Sequence, residues 1–439
     1  GFGATGAVNW DVSSIKTVTF TATAGVGYFV DTATTGAVTV NLPAGTAGDV
    51  IGVADYAQNF ASANCTIAPN GTEKIGGVVI DSTLSTNGIA VTLVYVDGTK
   101  GWIVTDSGNQ SDAPTESYVA ATGGCITTCG NFKVHTFLSP GTFTVTSAGN
   151  PSGSTSVDYM IVGGGGGGQT KNSKNPNAPG RYSNGGGGAG GWRASSGTAS
   201  GCYAAGPAPL VGPVSAYTVS ASPGAYAVVV GGGGPAPSIP ATDAAATPGV
   251  ASSVFCITSA GGGGGGYGAG AGTQGNADNG GSGGGAGANV SSTIGSGNTP
   301  PTTPPQGNDG GPGTSAASTF AGGGGGAGGC GQAGAAPGGA GGCGGDGGLG
   351  VPSSINFSAV GYAGGGGGGG GYPGGSGTIN GGAGTSGGGN GGQPSPSNGQ
   401  AGTANTGGGG GGSGGDGSSG TCTGGAGGSG VVILRYKYQ

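Results

Sequence analysis

The sequence is poor in nearly every group that chemistry at neutral pH requires. It has one His, and Asp, Glu, Lys and Arg together make up 6% of its 439 residues, against about 25% in an ordinary soluble domain. Neither a conventional catalytic centre nor a cofactor site is expected. Ten Lys and Arg against sixteen Asp and Glu give a net charge of -6, which disfavours nucleic acid and anionic lipid surfaces alike. No apolar run reaches the length of about 20 residues that spans a bilayer, so membrane insertion is not expected. The opening Gly1-Phe2-Gly3-Ala4-Thr5-Gly6 lacks both an initiator Met and the order of a secretory signal; an upstream piece carrying targeting or attachment is expected. The eight cysteines are too sparse for a disulfide-stapled scaffold. Cys125 and Cys129 form the one close pair, and without a second pair or a nearby His they fall short of a zinc site. Free thiols or a local disulfide are expected, and no metal.

What the chain has in excess is glycine, 122 of 439 residues, about four times the usual 7%. The glycines come in blocks, 163–168, 185–188, 231–234, 261–266, 322–326, 364–371 and 407–412, not at every third position, which excludes a collagen triple helix. Unequal spacing between blocks also argues against a fixed-period solenoid. Residues 1–107 read as a small β domain with alternating segments such as Ala37-Val38-Thr39-Val40-Asn41-Leu42. Val91-Thr92-Leu93-Val94-Tyr95-Val96 and Gly101-Trp102-Ile103-Val104-Thr105, joined through Asp97-Gly98, form a hairpin signal. Residues 108–130 have the polar composition of a linker or neck. Within 131–162, Phe132-Lys133-Val134-His135-Thr136-Phe137 and Gly141-Thr142-Phe143-Thr144-Val145-Thr146 read as a β-hairpin around Leu138-Ser139-Pro140, followed by strand Val157-Asp158-Tyr159-Met160-Ile161-Val162. His135, with no ligating neighbour, reads as a strand side chain. Residues 163–430 hold the glycine blocks, and 431–439 return to strand; this last strand is expected to pair with the one ending at Val162.

A glycine run resembles a flexible linker in composition, because glycine loses the most backbone entropy on ordering. It has one alternative, an extended helix of three residues per turn rising about 3.1 Å per residue. Its outward N–H and C=O groups are satisfied only when such rods pack side by side. Recurrent run lengths, aromatics beside the runs (Trp192, Tyr267, Tyr362, Tyr372) and bracketing strands favour packed rods. The expected fold is therefore all-β plus polyglycine II, a small N-terminal β domain and hairpin neck followed by stacked rods closed by the C-terminal strand.

Three stretches carry a family resemblance. Phe137-Leu138-Ser139-Pro140-Gly141-Thr142-Phe143-Thr144-Val145, then Val157-Asp158-Tyr159-Met160-Ile161-Val162-Gly163-Gly164-Gly165-Gly166, and the closing Gly428-Ser429-Gly430-Val431-Val432-Ile433-Leu434-Arg435-Tyr436 together resemble the glycine-rich domain of tail fibres and adhesins of tailed bacteriophages. The front piece, with Val8-Asn9-Trp10, Gly27-Tyr28-Phe29-Val30 and Leu93-Val94-Tyr95-Val96-Asp97-Gly98, is similar to the small β domain preceding it in marine phage fibres. The resemblance implies a non-enzymatic virion fibre, commonly a homotrimer, that joins other fibre or baseplate proteins. It further implies binding to a bacterial surface receptor, an outer-membrane protein or a glycan, through loops on a polyglycine II sandwich. A cellular extracellular fibril or matrix protein would share the rod physics. A capsule-degrading enzyme is the least favoured, since Asp243, Asp278, Asp309, Asp346 and Asp416 are isolated among small residues and glycoside hydrolysis needs paired carboxylates. The one cluster of cations in the glycine block, Lys171, Lys174, Arg181 and Arg193, lies near Tyr182, Trp192 and Tyr203, a set suited to acidic sugars or an anionic surface protein. Tyr267, Tyr362 and Tyr372 are secondary aromatic candidates.

Overall fold

The computed structural model describes residues 8–109, 116–171, 182–201, 203–207, 210, 214–238, 245–268, 276–288, 292–314, 319–335, 342–371, 379–394, 397–415 and 421–439. Every regular element among them is a β-strand, and the chain divides into two compact units, Gly1–Thr115 and Glu116–Gln439.

The first unit holds β1 (Asn9–Lys16), β2 (Phe20–Thr21), β3 (Val26–Val30), β4 (Val38–Asn41), β5 (Val50–Asp55), β6 (Cys65–Ala68), β7 (Ser82–Leu84), β8 (Ile89–Asp97) and β9 (Gly101–Asn109). The chain alternates between two sheets, β1-β3-β5-β8-β9 and β2-β4-β6-β7. Within them β1, β3 and β5 are parallel, as are β2, β4 and β6, so the chain winds as a short two-sheet coil. Alternation along each strand sends Tyr28, Val30, Val40, Ile51, Val53, Ile67 and Leu93 into one core with Phe60 and Trp102. Asp55, buried at the end of β5, accepts hydrogen bonds from the amides of Asn59, Phe60 and Gly88 at 3.2, 3.1 and 3.0 Å, which ties together the turns after β5 and before β8. The expected hairpin is the β8–β9 pair; the parallel winding was not anticipated, because parallel partners lie far apart in sequence and leave no turn signature between them.

In the second unit, β10 (Val119–Thr122), β11 (Cys125–Cys129), β12 (Phe132–Phe137), β13 (Gly141–Ala148), β14 (Ser156–Val162), β15 (Trp192–Ala194), β16 (Tyr217–Thr218), β17 (Ala225–Val228) and a C-terminal strand, Val431–Lys437, form two sheets. One is β10-β13-β17; the other runs β11-β12, C-terminal strand, β14-β15, with β16 also on β14. Two expectations are corrected here. Residues 108–130 contain the end of β9 and all of β10 and β11, so they are not simply a neck. And β12 and β13 do not pair: β12 lies between β11 and the C-terminal strand, β13 between β10 and β17. Leu138-Ser139-Pro140 turns a corner between sheets, which lets Phe137 and Phe143 face each other across a shared core with Val145, Tyr159, Ile161, Leu434 and Tyr436. The C-terminal strand does pair antiparallel with β14, from Asp158↔Arg435 to Val162↔Val431.

Beyond Val162 the strand continues into glycine. The amides of Gly163, Gly166 and Gln169 bond to the carbonyls of Gly191, Gly188 and Gly185; those of Gly164 and Gly167 to Val250 and Thr247; those of Gly165, Gly168 and Lys171 to Gly428, Gly425 and Cys422. The partner segment changes at each residue and returns every third. The same holds for 185–191, whose amides turn in succession to 260–266, 322–325 and 407–410. Outward segments such as 163–171, 261–268, 362–371 and 407–415 alternate with return segments such as 182–191, 276–281, 379–384 and 421–430, all laterally bonded. Among the described glycines of the seven runs only Gly407 has a positive φ, so it is the closeness of neighbours, not a left-handed backbone, that demands glycine. A Cβ on Gly366 would overlap the carbonyl of Gly410, whereas one on Gly232 would meet nothing within 4 Å.

Gly366→Ala is therefore expected to destabilise the second unit by about 3 kcal/mol or more, and Gly232→Ala to change it by less than about 0.5 kcal/mol. Thermal denaturation of the two variants measures the contrast; equal shifts would contradict lateral packing as the reason for glycine.

Candidate functional site

Among the described residues of the second unit, polar side chains gather where the strands meet the glycine segments and again at the far end of those segments. Asp158 and Arg435 face each other across β14 and the C-terminal strand, both buried in otherwise apolar strands. Asp158 accepts from the Ser195 hydroxyl at 2.7 Å, the Ser200 amide at 2.8 Å and the Ser200 hydroxyl at 2.6 Å. Arg435 donates through Nε to the Ser200 carbonyl at 3.1 Å and through Nη1 to the Ile355 carbonyl at 3.3 Å. Its guanidinium lies 4.9 Å from the Phe132 ring and 4.8 Å from those of Tyr203 and Phe357. Each charge is thus satisfied by hydroxyls, backbone and aromatic faces, and the cluster ties Ser195, Ser200, Tyr203, Ile355, Phe357 and β12 to the closing strand. Burial raises the Tyr203 phenol above its ordinary range, so it stays a neutral ring. Sequence reading missed Asp158 and Arg435 as a pair; the signal was a charge flanked by apolar residues in each of two strands, Val157-Asp158-Tyr159 and Leu434-Arg435-Tyr436.

On the opposite face of the same sheet His135 is fully buried. Its Nδ1 is 2.6 Å from the Gly123 carbonyl, which only accepts, so Nδ1 carries the proton and Nε2 accepts from the Tyr436 hydroxyl at 3.0 Å. Burial lowers the His135 pKa, partly offset by the Gly123 carbonyl, with Lys133 adding to the depression; burial also pushes the Tyr436 phenol up to about 12.

The second region is the end of the array remote from the strands. Here Gln169, Thr170, Ser183, Asn184 and Ser413 are buried among segment ends. Asn184 donates to Ser413 Oγ at 2.9 Å and accepts the Gly268 amide at 2.9 Å; Thr170 Oγ1 donates to the Pro237 carbonyl at 2.8 Å; Ser183 Oγ donates to the Thr319 carbonyl. These polar side chains bond to backbone and to one another at the described ends of the segments. The outward segments 163–171, 261–268, 362–371 and 407–415 all end at this level.

The sequence-derived residues distribute unevenly over this frame. Lys174, Arg181 and Tyr372 lie outside the described residues, as do Asp243 and Asp416. Lys171 is 4% exposed at the end of its segment, and Tyr182 is half-buried beside Gly268. Trp192 and Tyr267 are 1% exposed and Tyr362 is 4%, so all three fill the scaffold and present no aromatic face to solvent. Arg193 sits on β15 opposite Ile161, and Tyr203 belongs to the Arg435 cage. Trp192, Arg193 and Tyr203 are thus near the strands, while Lys171 and Tyr182 are at the remote end; the structure does not gather the set into one site.

With this geometry in place, comparison with known proteins gives one family. The model of the glycine-rich domain family matches residues 138–437, and the chain belongs to that family. No curated protein matches the sequence.

Removing Arg435 takes the donors from the buried Ser200 and Ile355 carbonyls and the packing from between three rings, so Arg435→Ala is expected to cost about 3 kcal/mol, read from chemical denaturation. The folded-state pKa of His135 is below the unfolded value of about 6.5, so the unfolded chain binds more protons as pH falls. The His135 contribution is fully present above about pH 6.5 and is lost as pH drops below it. A melting series from pH 7.5 to 5 should slope downward for the native chain and flatten for His135→Phe.

Proposed function

We propose that the second unit is a stack of polyglycine II rods forming the scaffold of a virion fibre, a phage tail fibre or adhesin. In this reading the connectors at its remote end bind the bacterial host surface. The observation that carries the reading is the three-residue return of hydrogen-bond partners. A helix of three residues per turn points successive amides about 120° apart, which is how one glycine segment reaches a different neighbour at each residue. Such a scaffold is held by backbone, so its connectors are free to vary in sequence without loss of packing, which is what receptor binding asks of loops. Three further features support the reading: the segments end at a common level, Lys174 and Arg181 fall in the connector between 171 and 182, and the quoted strands resemble those of phage fibres.

The proposed partners are an outer-membrane protein or glycan of the host and other fibre or baseplate proteins, with the protein located on the virion. The role is adhesive, not enzymatic. Two of the three described carboxylates of the array serve backbone, Asp309 taking the Gly297 amide at 2.7 Å and Asp346 the Ala383 amide at 2.7 Å, and the third, Asp278, has its pKa raised by burial.

Immunogold electron microscopy with an antibody against residues 163–430, on a culture holding cells and the virus they release, tests the location. Gold on fibres of virions is expected; gold on cells with bare virions would replace this reading with a cellular fibril. On the adhesin reading, Lys174→Ser with Arg181→Ser leaves the melting curve unchanged and lowers binding to host cells about tenfold, the loss of about 1.4 kcal/mol. Unchanged binding would remove these cations from the contact.

A further inference from the structure

Strand β11, Cys125-Ile126-Thr127-Thr128-Cys129, is an edge strand of the larger sheet, and all five of its residues are exposed. Edge strands are usually protected from pairing by a charge, a proline or a bulge. This one has none of them: it carries no charged residue or proline, and its register with β12 is unbroken from Cys125↔Thr136 to Cys129↔Phe132. Its β-branched centre favours an extended backbone.

Both terminal residues are free, exposed cysteines. They are four residues apart on one strand, roughly 13 Å at about 3.3 Å per residue, too far for the local disulfide that the sequence left open. Their arrangement is symmetric about Thr127. If a second β11 is laid antiparallel with Thr127 opposite Thr127, each Cys125 falls directly opposite a Cys129 of the other copy, twice.

The parity of the ladder decides whether those positions suit a bond. The carbonyl of Asn131 accepts the amide of Tyr438, so odd-numbered residues of β12 direct their backbone groups to the C-terminal strand and even-numbered ones to β11. Phe132, Val134 and Thr136 are therefore the partners that exchange hydrogen bonds with Cys129, Thr127 and Cys125, in keeping with a two-residue hairpin turn. That leaves Ile126 and Thr128 with N–H and C=O groups aimed at the open edge. In the symmetric pairing these two supply the new hydrogen bonds, and the cysteines occupy non-hydrogen-bonded positions with Cα atoms about 4.5 Å apart, inside the range a disulfide accepts.

We propose that β11 joins two copies of this chain edge to edge, in the register that places Cys125 opposite Cys129, and that an oxidant locks the junction with two disulfides. Each bond forms from two thiols, which lose two protons and two electrons. A small-molecule disulfide such as oxidised glutathione accepts them, its own S–S bond breaking to give two reduced thiols. The junction uses one edge per copy and is separate from any contact made at the connectors of the array.

The test uses the full chain with Cys202, Cys256, Cys330 and Cys343 replaced by Ser, keeping Cys65 and Cys422, which are buried. In oxidised glutathione it should run as a covalent dimer on a non-reducing gel, and peptide mapping should find Cys125 joined to Cys129. Adding Cys125→Ser or Cys129→Ser should each abolish the covalent dimer, because every remaining thiol then faces a serine. Mixing the two variants should restore it, as heterodimers with one disulfide. Cross-linking by either single variant alone, or none in the mixture, would overturn the register. Ile126→Pro removes an N–H aimed at the edge and none aimed at β12; it should lower dimer yield at least tenfold with an unchanged melting curve. Undiminished dimer in that variant would overturn edge pairing.

Discussion

The second unit depends on one constraint, the lateral approach of backbone to backbone. An amide bonds to a carbonyl of a neighbouring segment only if nothing projects between them, and in this array each segment has such neighbours on several sides at once. A β-sheet meets the requirement in one plane and keeps side chains above and below it. The glycine segments meet it all round, and side chains are given up where segments touch. Cohesion then comes from many backbone hydrogen bonds, each worth about 1 kcal/mol net, in place of an apolar interior. The low charge and the scarcity of aliphatic residues in 163–430 follow from that substitution.

Such an array needs a start and a stop. Strand β14 enters it directly at Gly163 and the C-terminal strand leaves it at Gly430, and their pairing sets those two segments in register. Side-chain energy is concentrated at that base. Trp192, Met160 and Ile433 pack on one face of the sheet, where the Asp158 and Arg435 cluster also lies, and Phe143, Tyr159 and Tyr436 on the other. At the remote end the work passes to Gln169, Thr170, Ser183, Asn184 and Ser413, short side chains that supply hydrogen bonds without needing an apolar layer. The base and the polar side chains at the remote end hold the two ends of the described segments by different means.

Much of this was legible in the sequence, and what was not has physical causes. Runs of glycine bracketed by apolar strands imply packed segments, and the pairing of the C-terminal strand with the one ending at Val162 follows from closure. Partner choice inside the array was not legible, because one glycine is like another and only the three-dimensional lattice says that Gly166 meets Gly188 and Gly167 meets Thr247. The corner at Leu138-Ser139-Pro140 looked like a hairpin because short polar loops serve both purposes; the difference lies in the distant partners of β12 and β13. Trp192, Tyr267 and Tyr362 stood out as candidate contacts because aromatics are rare here, yet their rarity marks the few places where the scaffold has a cavity large enough for a ring. Lys174 and Arg181 stay as the sequence left them.

Amides in the glycine runs are held as firmly as those of the strands they extend. Hydrogen exchange followed by mass spectrometry on the intact protein tests it directly. Peptides covering 163–168 and 364–371 are expected to exchange as slowly as those covering Ser156–Val162. Complete exchange of the glycine peptides at the first time point, with the strands still protected, would contradict it.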